Sequence, residues 1–184
     1  MLVSIEPKVD SRGFFARTIC RREFAAARLR ADFVQASVSF SEHRGTVRGL
    51  HFQWPPSAED KLVRCVAGAL HEVLLDLRPG SASYLEHVTI TLDAERRDAV
   101  FIPAGIAHGY QTLADRTEVL YEMTDFYAPE LATGVRWNDP AFGIEWPIAE
   151  ITISERDDAY PDFDKPAFEA ELHRRRAGAS DRGH

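Results

Sequence analysis

The sequence predicts a mainly β protein, an antiparallel sandwich or barrel of jelly-roll type with short peripheral helices. Three observations predict it. Val34, Ala36, Val38 and Phe40 alternate with Gln35, Ser37, Ser39 and Ser41, a two-residue period with one polar face. Further strand-like runs follow at short spacing, at 46–52, 61–66, 70–77, 87–92, 99–102, 109–113 and 117–127. Turn material separates them, notably Trp54-Pro55-Pro56-Ser57, Arg78-Pro79-Gly80-Ser81 and Pro103-Ala104-Gly105.

The elements follow in order. Residues 21–30 make the first helix, because Glu23, Phe24, an alanine run and Leu29 are mostly good helix formers. The polar face of the next strand is either solvated or the lining of a pocket. Residues 167–176 make a C-terminal helix, and 178–184 a frayed tail. With 184 residues, no internal repeat and no composition break, a single domain over 1–177 is expected. A net charge of −7 argues against a general binder of nucleic-acid backbones, although a local arginine cluster can still hold one anionic ligand. Cys20 and Cys65 are too few for a disulfide scaffold and point to a reducing compartment. No stretch approaches the roughly 20 apolar residues of a membrane span, and the N-terminus lacks the basic and apolar regions of a signal peptide. A cytoplasmic protein is expected.

Two stretches concentrate the chemistry: Arg48-Gly49-Leu50-His51-Phe52-Gln53 with Lys61 after it, and Pro103-Ala104-Gly105-Ile106-Ala107-His108-Gly109-Tyr110 with Tyr121 after it. On a strand, the His51 ring shares a face with Gly49 and Gln53, and the missing Cβ at Gly49 leaves room for another group to approach. A strand histidine is a hydrogen-bonded core residue or a general base, and nearby Arg48, Gln53 and Lys61 favour the base. Lys61 is either a solvated edge charge or a cation for an oxyanion. Arg48 and Arg64 are surface charges or anion clamps. Tyr121 is a core aromatic or an acid. Asp157 and Asp158 sit in a solvated turn, or one of them orients a histidine.

Pro103-x-Gly105-x-x-His108 resembles the second motif of cupins, whose histidine often binds a metal. The first cupin motif needs two histidines separated by one residue and a glutamate beyond, whereas His51 is followed by Phe52 and Gln53. Only a coincidence of folding would bring His51, His71, Glu72 and His108 together as ligands, so no metal is expected.

Taken together these segments resemble the dTDP-4-dehydrorhamnose 3,5-epimerase family. The match is collinear from Asp10-x-Arg12-Gly13-x-Phe15 to Ser154-x-Arg156-Asp157. It passes through Lys61-Leu62-Val63-Arg64, Asp76-Leu77-Arg78, Tyr121, Trp137-Asn138-Asp139-Pro140 and Trp146-Pro147 as well as the two histidine stretches. The resemblance implies a cupin-type jelly roll (a double-stranded β-helix), a homodimer, no metal or other cofactor, and a nucleotide-linked 4-keto-6-deoxy sugar as substrate. It places the base on His51, its carboxylate on Asp157 with Asp158 one residue away, and the acid on Tyr121. Lys61, Arg48 and His108 fall near the sugar and Arg12 near the nucleotide. Gln53, Gln35, Ser37 and Glu72 complete the expected substrate contacts.

The implied chemistry suits the residue types. Hydrogens on carbons 3 and 5 flank a 4-ketone, so removing either gives an enolate that Lys61 and His108 can stabilise before Tyr121 reprotonates it. Four positions depart from the family pattern: Arg17 for a glutamate, Ser37 for an asparagine, Glu72 for an aspartate, and the unusual His71. They leave open the base, the sugar and whether one or both carbons invert. Two readings of another class also remain, a metal-dependent cupin oxygenase and a non-catalytic sugar-binding cupin.

Overall fold

The structure is a computed structural model that describes residues 1–180. Among them the strands are β1 (Leu2–Val3), β2 (Lys8–Asp10), β3 (Gly13–Phe15), β4 (Gln35–Ser41), β5 (Val47–Gln53) and β6 (Lys61–Ala67). They continue with β7 (Ala69–Asp76), β8 (His87–Asp93), β9 (Ala99–Ile102), β10 (Ile106–Thr112), β11 (Thr117–Met123) and β12 (Ala132–Gly134). The helices are α1 (Arg21–Ala26), α2 (Glu155–Asp158) and α3 (Lys165–Ser180). One five-stranded sheet has the order β1-β9-β6-β11-β4 and the other β12-β5-β10-β7-β8, while β2 and β3 form a separate hairpin. Every named strand pair is antiparallel. The mainly β jelly-roll class expected from the strand pattern is therefore the fold. No helix is long and apolar enough to cross a membrane among the described residues.

Side-chain alternation sorts the apolar residues into three layers. Val63, Cys65, Leu70, Val100, Ile102 and Val119 fill the space between the sheets. Leu50, Phe52, Val73 and Leu75 point out of the second sheet and are covered by Phe168 and Leu172 of α3. Leu62, Ala99 and Phe101 leave the first sheet on its outer side and pack on Phe24 of α1. Buried on both faces, β9 needs the uninterrupted apolar run that marks it in the sequence.

Element ends differ from the expected ones for identifiable reasons. The first helix stops at Ala26 because Arg28 turns to φ 59°, with Arg28 N–H donating to Ala25 O and Leu29 N–H to Phe24 O, a Schellman closure. The strand expected to run to 127 ends at Met123, where Thr124 exchanges hydrogen bonds with the Asp60 backbone. Beyond it Gln35 and Gln53 side chains accept the N–H groups of Tyr127 and Ala128, holding a loop. The strand expected at 109 begins at Ile106, because the Pro103 turn closes within four residues through Ile106 N–H to Pro103 O. The C-terminal helix begins early, with Asp164 capping Ala167 N–H and Pro166 tolerated in the first turn. It continues to Ser180, so the first part of the tail expected at 178–184 is helical, and 181–184 lie outside the described residues.

One crossing positions the site. A Cβ on Gly49, whose φ is 103°, would stand 2.6 Å from His108 O and 2.8 Å from the Gly109 Cα. A Cβ on Gly109 would stand 2.6 Å from Arg48 O. The paired glycines let β5 and β10 close together where their register shifts, which leaves His51 directly opposite His108. Replacing Gly49 by alanine combines backbone strain with a clash against main-chain atoms, and neither can move aside cheaply. Gly49→Ala is expected to lose about 2 kcal/mol or more of stability in urea denaturation.

Candidate active site

A cleft of about 490 Å³ opens between the two sheets, within the size range of small-ligand sites. β4, β6 and β11 supply one wall; β5, β10 and β12 supply the other. His51 and His108 lie side by side on the second wall. Each has its own carboxylate, and the two pairs differ in burial.

His51 is half-exposed. Its Nε2 stands 2.7 Å from Asp157 Oδ1, and the other carboxylate oxygen accepts Gly49 N–H at 3.1 Å. Asp157 arrives there through local geometry. The chain at Thr152 bonds to Gly45 and Val47 beside the start of β5, and Ser154 then caps α2 by accepting Asp157 N–H. Burial pushes the Asp157 carboxyl up, but the bond to His51, the imidazole charge and the Gly49 N–H outweigh it and hold it below the usual range. An ionised Asp157 only accepts, so the His51 proton sits on Nε2 and Nδ1 keeps the lone pair a base needs. Asp158 instead accepts Trp137 Nε1–H at 3.0 Å, so the carboxylate beside His51 is Asp157.

The second pair is buried. His108 Nδ1 stands 2.7 Å from Glu72 Oε1, and Glu72 is 0% exposed. Burial pushes Glu72 well up, with Lys61 opposing, and pushes His108 well down, with the charges of Lys61 and His51 adding to it. On the facing wall, Tyr121 lies with its ring centroid 6.0 Å from that of His108. Its hydroxyl is 3.4 Å from Ser39 Oγ, which is itself 2.8 Å from Tyr110 OH. Burial, then Tyr110, raise the Tyr121 phenol well above its ordinary value, so it rests protonated. Lys61 reaches the cleft ion-paired with Glu59.

Most of the residues singled out in the sequence converge here. Gln35, Ser37 and Ser39 line the cleft, so the polar face of β4 is a pocket wall. Arg48 sits at the rim, donating to Ser41 Oγ and Phe40 O. Gln53 lines the cleft, but its amide is engaged with Ser57, Phe126 and Ala128. Two expected contacts are corrected. Glu72 does not reach the cleft, because it lies behind His108. Arg12 is 87% exposed on the β2–β3 hairpin, paired with Asp10 and away from the cleft of its own chain. Arg64 belongs to the outer side of the first sheet, bonded to Arg97 O.

Among the lining residues that draw no role from the sequence, Glu59, Tyr127, Thr133 and Arg156 bring polar or aromatic groups. Arg156 lies in the Ser-x-Arg-Asp segment and Tyr127 in a run that reads as strand. Among the described residues no group of three or more His, Cys, Asp or Glu side chains is placed to hold a metal ion.

Known proteins share both sequence and fold with this chain. A dTDP-4-dehydrorhamnose 3,5-epimerase from Sinorhizobium fredii is 41% identical over 153 residues, 83% of this chain and 78% of that one. The crystal structure of dTDP-6-deoxy-D-glucose-3,5-epimerase from Legionella pneumophila, in complex with dTDP-4-keto-L-rhamnose, superposes with a TM-score of 0.85 at 31% identity, covering 93% and 90% of the two chains. A 3'-monoepimerase from Streptomyces bikiniensis in complex with dTDP-quinovose gives 0.83 at 28% identity, covering 97% and 94%. The family described as dTDP-4-dehydrorhamnose 3,5-epimerase matches residues 1–165. With two histidine–carboxylate pairs facing a buried phenol across a jelly-roll cleft, this chain belongs to the dTDP-4-dehydrorhamnose 3,5-epimerase family and is an isomerase.

Proposed function

We propose that the enzyme inverts carbons 3 and 5 of dTDP-4-keto-6-deoxyglucose, giving dTDP-4-dehydrorhamnose. One observation carries the reading: the base and the acid come from opposite walls of the cleft, His51 on β5 and Tyr121 on β11. Inversion needs that arrangement, because the proton must leave one face of the sugar and return to the other. His51 Nδ1 takes the proton on the carbon beside the ketone, and Asp157 stabilises the imidazolium that results. Lys61 and His108 hold the enolate oxygen. Tyr121 gives its proton to the opposite face, and solvent protons reset both groups. The reaction moves protons only.

The nucleotide belongs at the rim. Arg48 and Arg156 place two cations there for a diphosphate, and the exposed ring of Tyr127 offers a face for a base to stack on. Arg12 fits that role only from another chain. The β2–β3 hairpin that carries it exposes Val9 at 79% and Phe15 at 76%, and the outer side of edge strand β4 exposes Val38 at 63%. Such apolar surfaces favour a homodimer in which each hairpin reaches the other copy. A second reading keeps the chemistry and stops after one carbon, and the likeness to a 3'-monoepimerase favours it.

Three experiments test this reading. Incubation with dTDP-4-keto-6-deoxyglucose in deuterium oxide, followed by NMR, is expected to show deuterium at both carbons; label at one alone selects the single-centre reading. In the same assay His51→Ala abolishes exchange, while Tyr121→Phe retains exchange better than inversion. Asp157→Asn lowers kcat about 100-fold with little change in KM, read by steady-state kinetics. Phe15→Glu is expected to convert a dimer to a monomer by light scattering and to raise KM, as Arg12→Ala does without dissociation. Equal masses for Phe15→Glu and the parent would remove the hairpin from the interface.

A further inference from the structure

Glu72 is the most deeply buried acid near the cleft. It leaves β7 on the inner side of the sheet, between Leu70 and Leu74, and pairs in register with Tyr110 of β10 and Ile90 of β8. Oε1 meets His108 Nδ1, while Oε2 is buried with no hydrogen-bond partner. The ionisable groups around the pair are Tyr110 on β10, Lys61 on β6, His51 on β5 and Tyr121 on β11. Of these Lys61 is the cation, and it is already paired with Glu59.

A carboxylate with one oxygen left dry and unpaired is costly, and a protonated acid is not. Which form Glu72 takes decides what His108 shows to the cleft. With the His108 ring neutral, as its burial favours, an ionised Glu72 would accept Nδ1–H and leave a lone pair on Nε2, which repels an enolate oxygen. A protonated Glu72 donates to Nδ1 and obliges Nε2 to carry the hydrogen.

Resting on the epimerase reading of the cleft, we propose that Glu72 is a protonated positioning residue that fixes His108 with Nε2–H facing the substrate oxygen and lends it a proton during the reaction. As negative charge grows on that oxygen, the proton on Glu72 Oε1 passes to His108 Nδ1, breaking one O–H bond and forming one N–H bond. The imidazolium then faces the enolate, with the carboxylate behind it. When the carbon is reprotonated and the ketone returns, the proton goes back to Oε1. Nothing enters or leaves the pair, as its burial requires.

The test begins with the unmodified protein at neutral pH and no substrate. Nitrogen-15 NMR of His108 is expected to show a neutral ring protonated at Nε2, and infrared difference spectra against Glu72→Gln a carboxylic-acid band lost in the variant. A ring protonated at Nδ1, an imidazolium, or no acid band overturns the proposal, whatever the protein acts on. For turnover, Glu72→Gln keeps the volume and can still donate to Nδ1, but it cannot transfer a proton, so kcat falls about tenfold at unchanged KM. Glu72→Asp, which keeps a transferable proton, recovers part of the loss. An undiminished kcat in Glu72→Gln removes the proton loan. Absence of any exchange in the unmodified enzyme would fail the epimerase reading instead, and the NMR result would stand apart from it.

Discussion

Where β5 crosses β10, two glycines remove the side chains that would hold the strands apart, and the backbones close to distances no Cβ tolerates. Three consequences follow from that contact. His51 comes opposite His108. The Gly49 N–H is freed from the ladder and points to Asp157. The irregular register turns both imidazoles toward the cleft while Leu50 and Phe52 stay in the outer core. The site is thus built into the sheet, where packing on both faces restrains it, rather than carried on a loop.

The same two side-chain types then do different work because their surroundings differ. Asp157 keeps its charge: backbone N–H and imidazole bonds outweigh its burial, and the histidine it holds remains partly open to the cleft. Glu72 has one partner and an empty oxygen, and burial dominates. One pair is therefore suited to take a proton and the other to stay neutral. Neighbouring groups with diverging proton affinities are the general means by which acid and base chemistry coexist at one pH.

The outer layers serve the site as well. α3 and the chain before it cover the second sheet, and the 150–152 stretch docks along the start of β5. That docking carries α2 to the cleft and delivers a carboxylate from 106 positions away in the chain. The loop after β11 is held by Gln35 and Gln53, so two glutamines that line the cleft also fix the rim where Tyr127 stands. Lining residues here are structural members too.

Local pattern made much of this legible. The alternation at 34–41, the doubly apolar 99–102 and the histidine stretches were readable because strand periodicity is a property of neighbouring residues. His51, His108, Lys61 and Tyr121 could be named as the reactive groups from residue type and collinear motifs. Three things were not legible. Ser154 to Asp158 reads either as a solvated turn or as the source of a histidine's carboxylate, and it is the docking at Thr152 with the Ser154 cap that makes it a one-turn helix with Asp157 buried. Glu72 reads as a pocket residue, yet a side chain's depth depends on what stands before it, here His108 from another strand. Arg12 lies on a hairpin whose three-residue strands are too short to show a period. By itself, then, the sequence determined the strand plan, the reactive residue types and the family. Tertiary structure alone decided that Asp157 rather than Asp158 faces His51, that Glu72 stands behind His108, and which of the two acids keeps its charge, because burial and partnership arise from residues far apart in the chain.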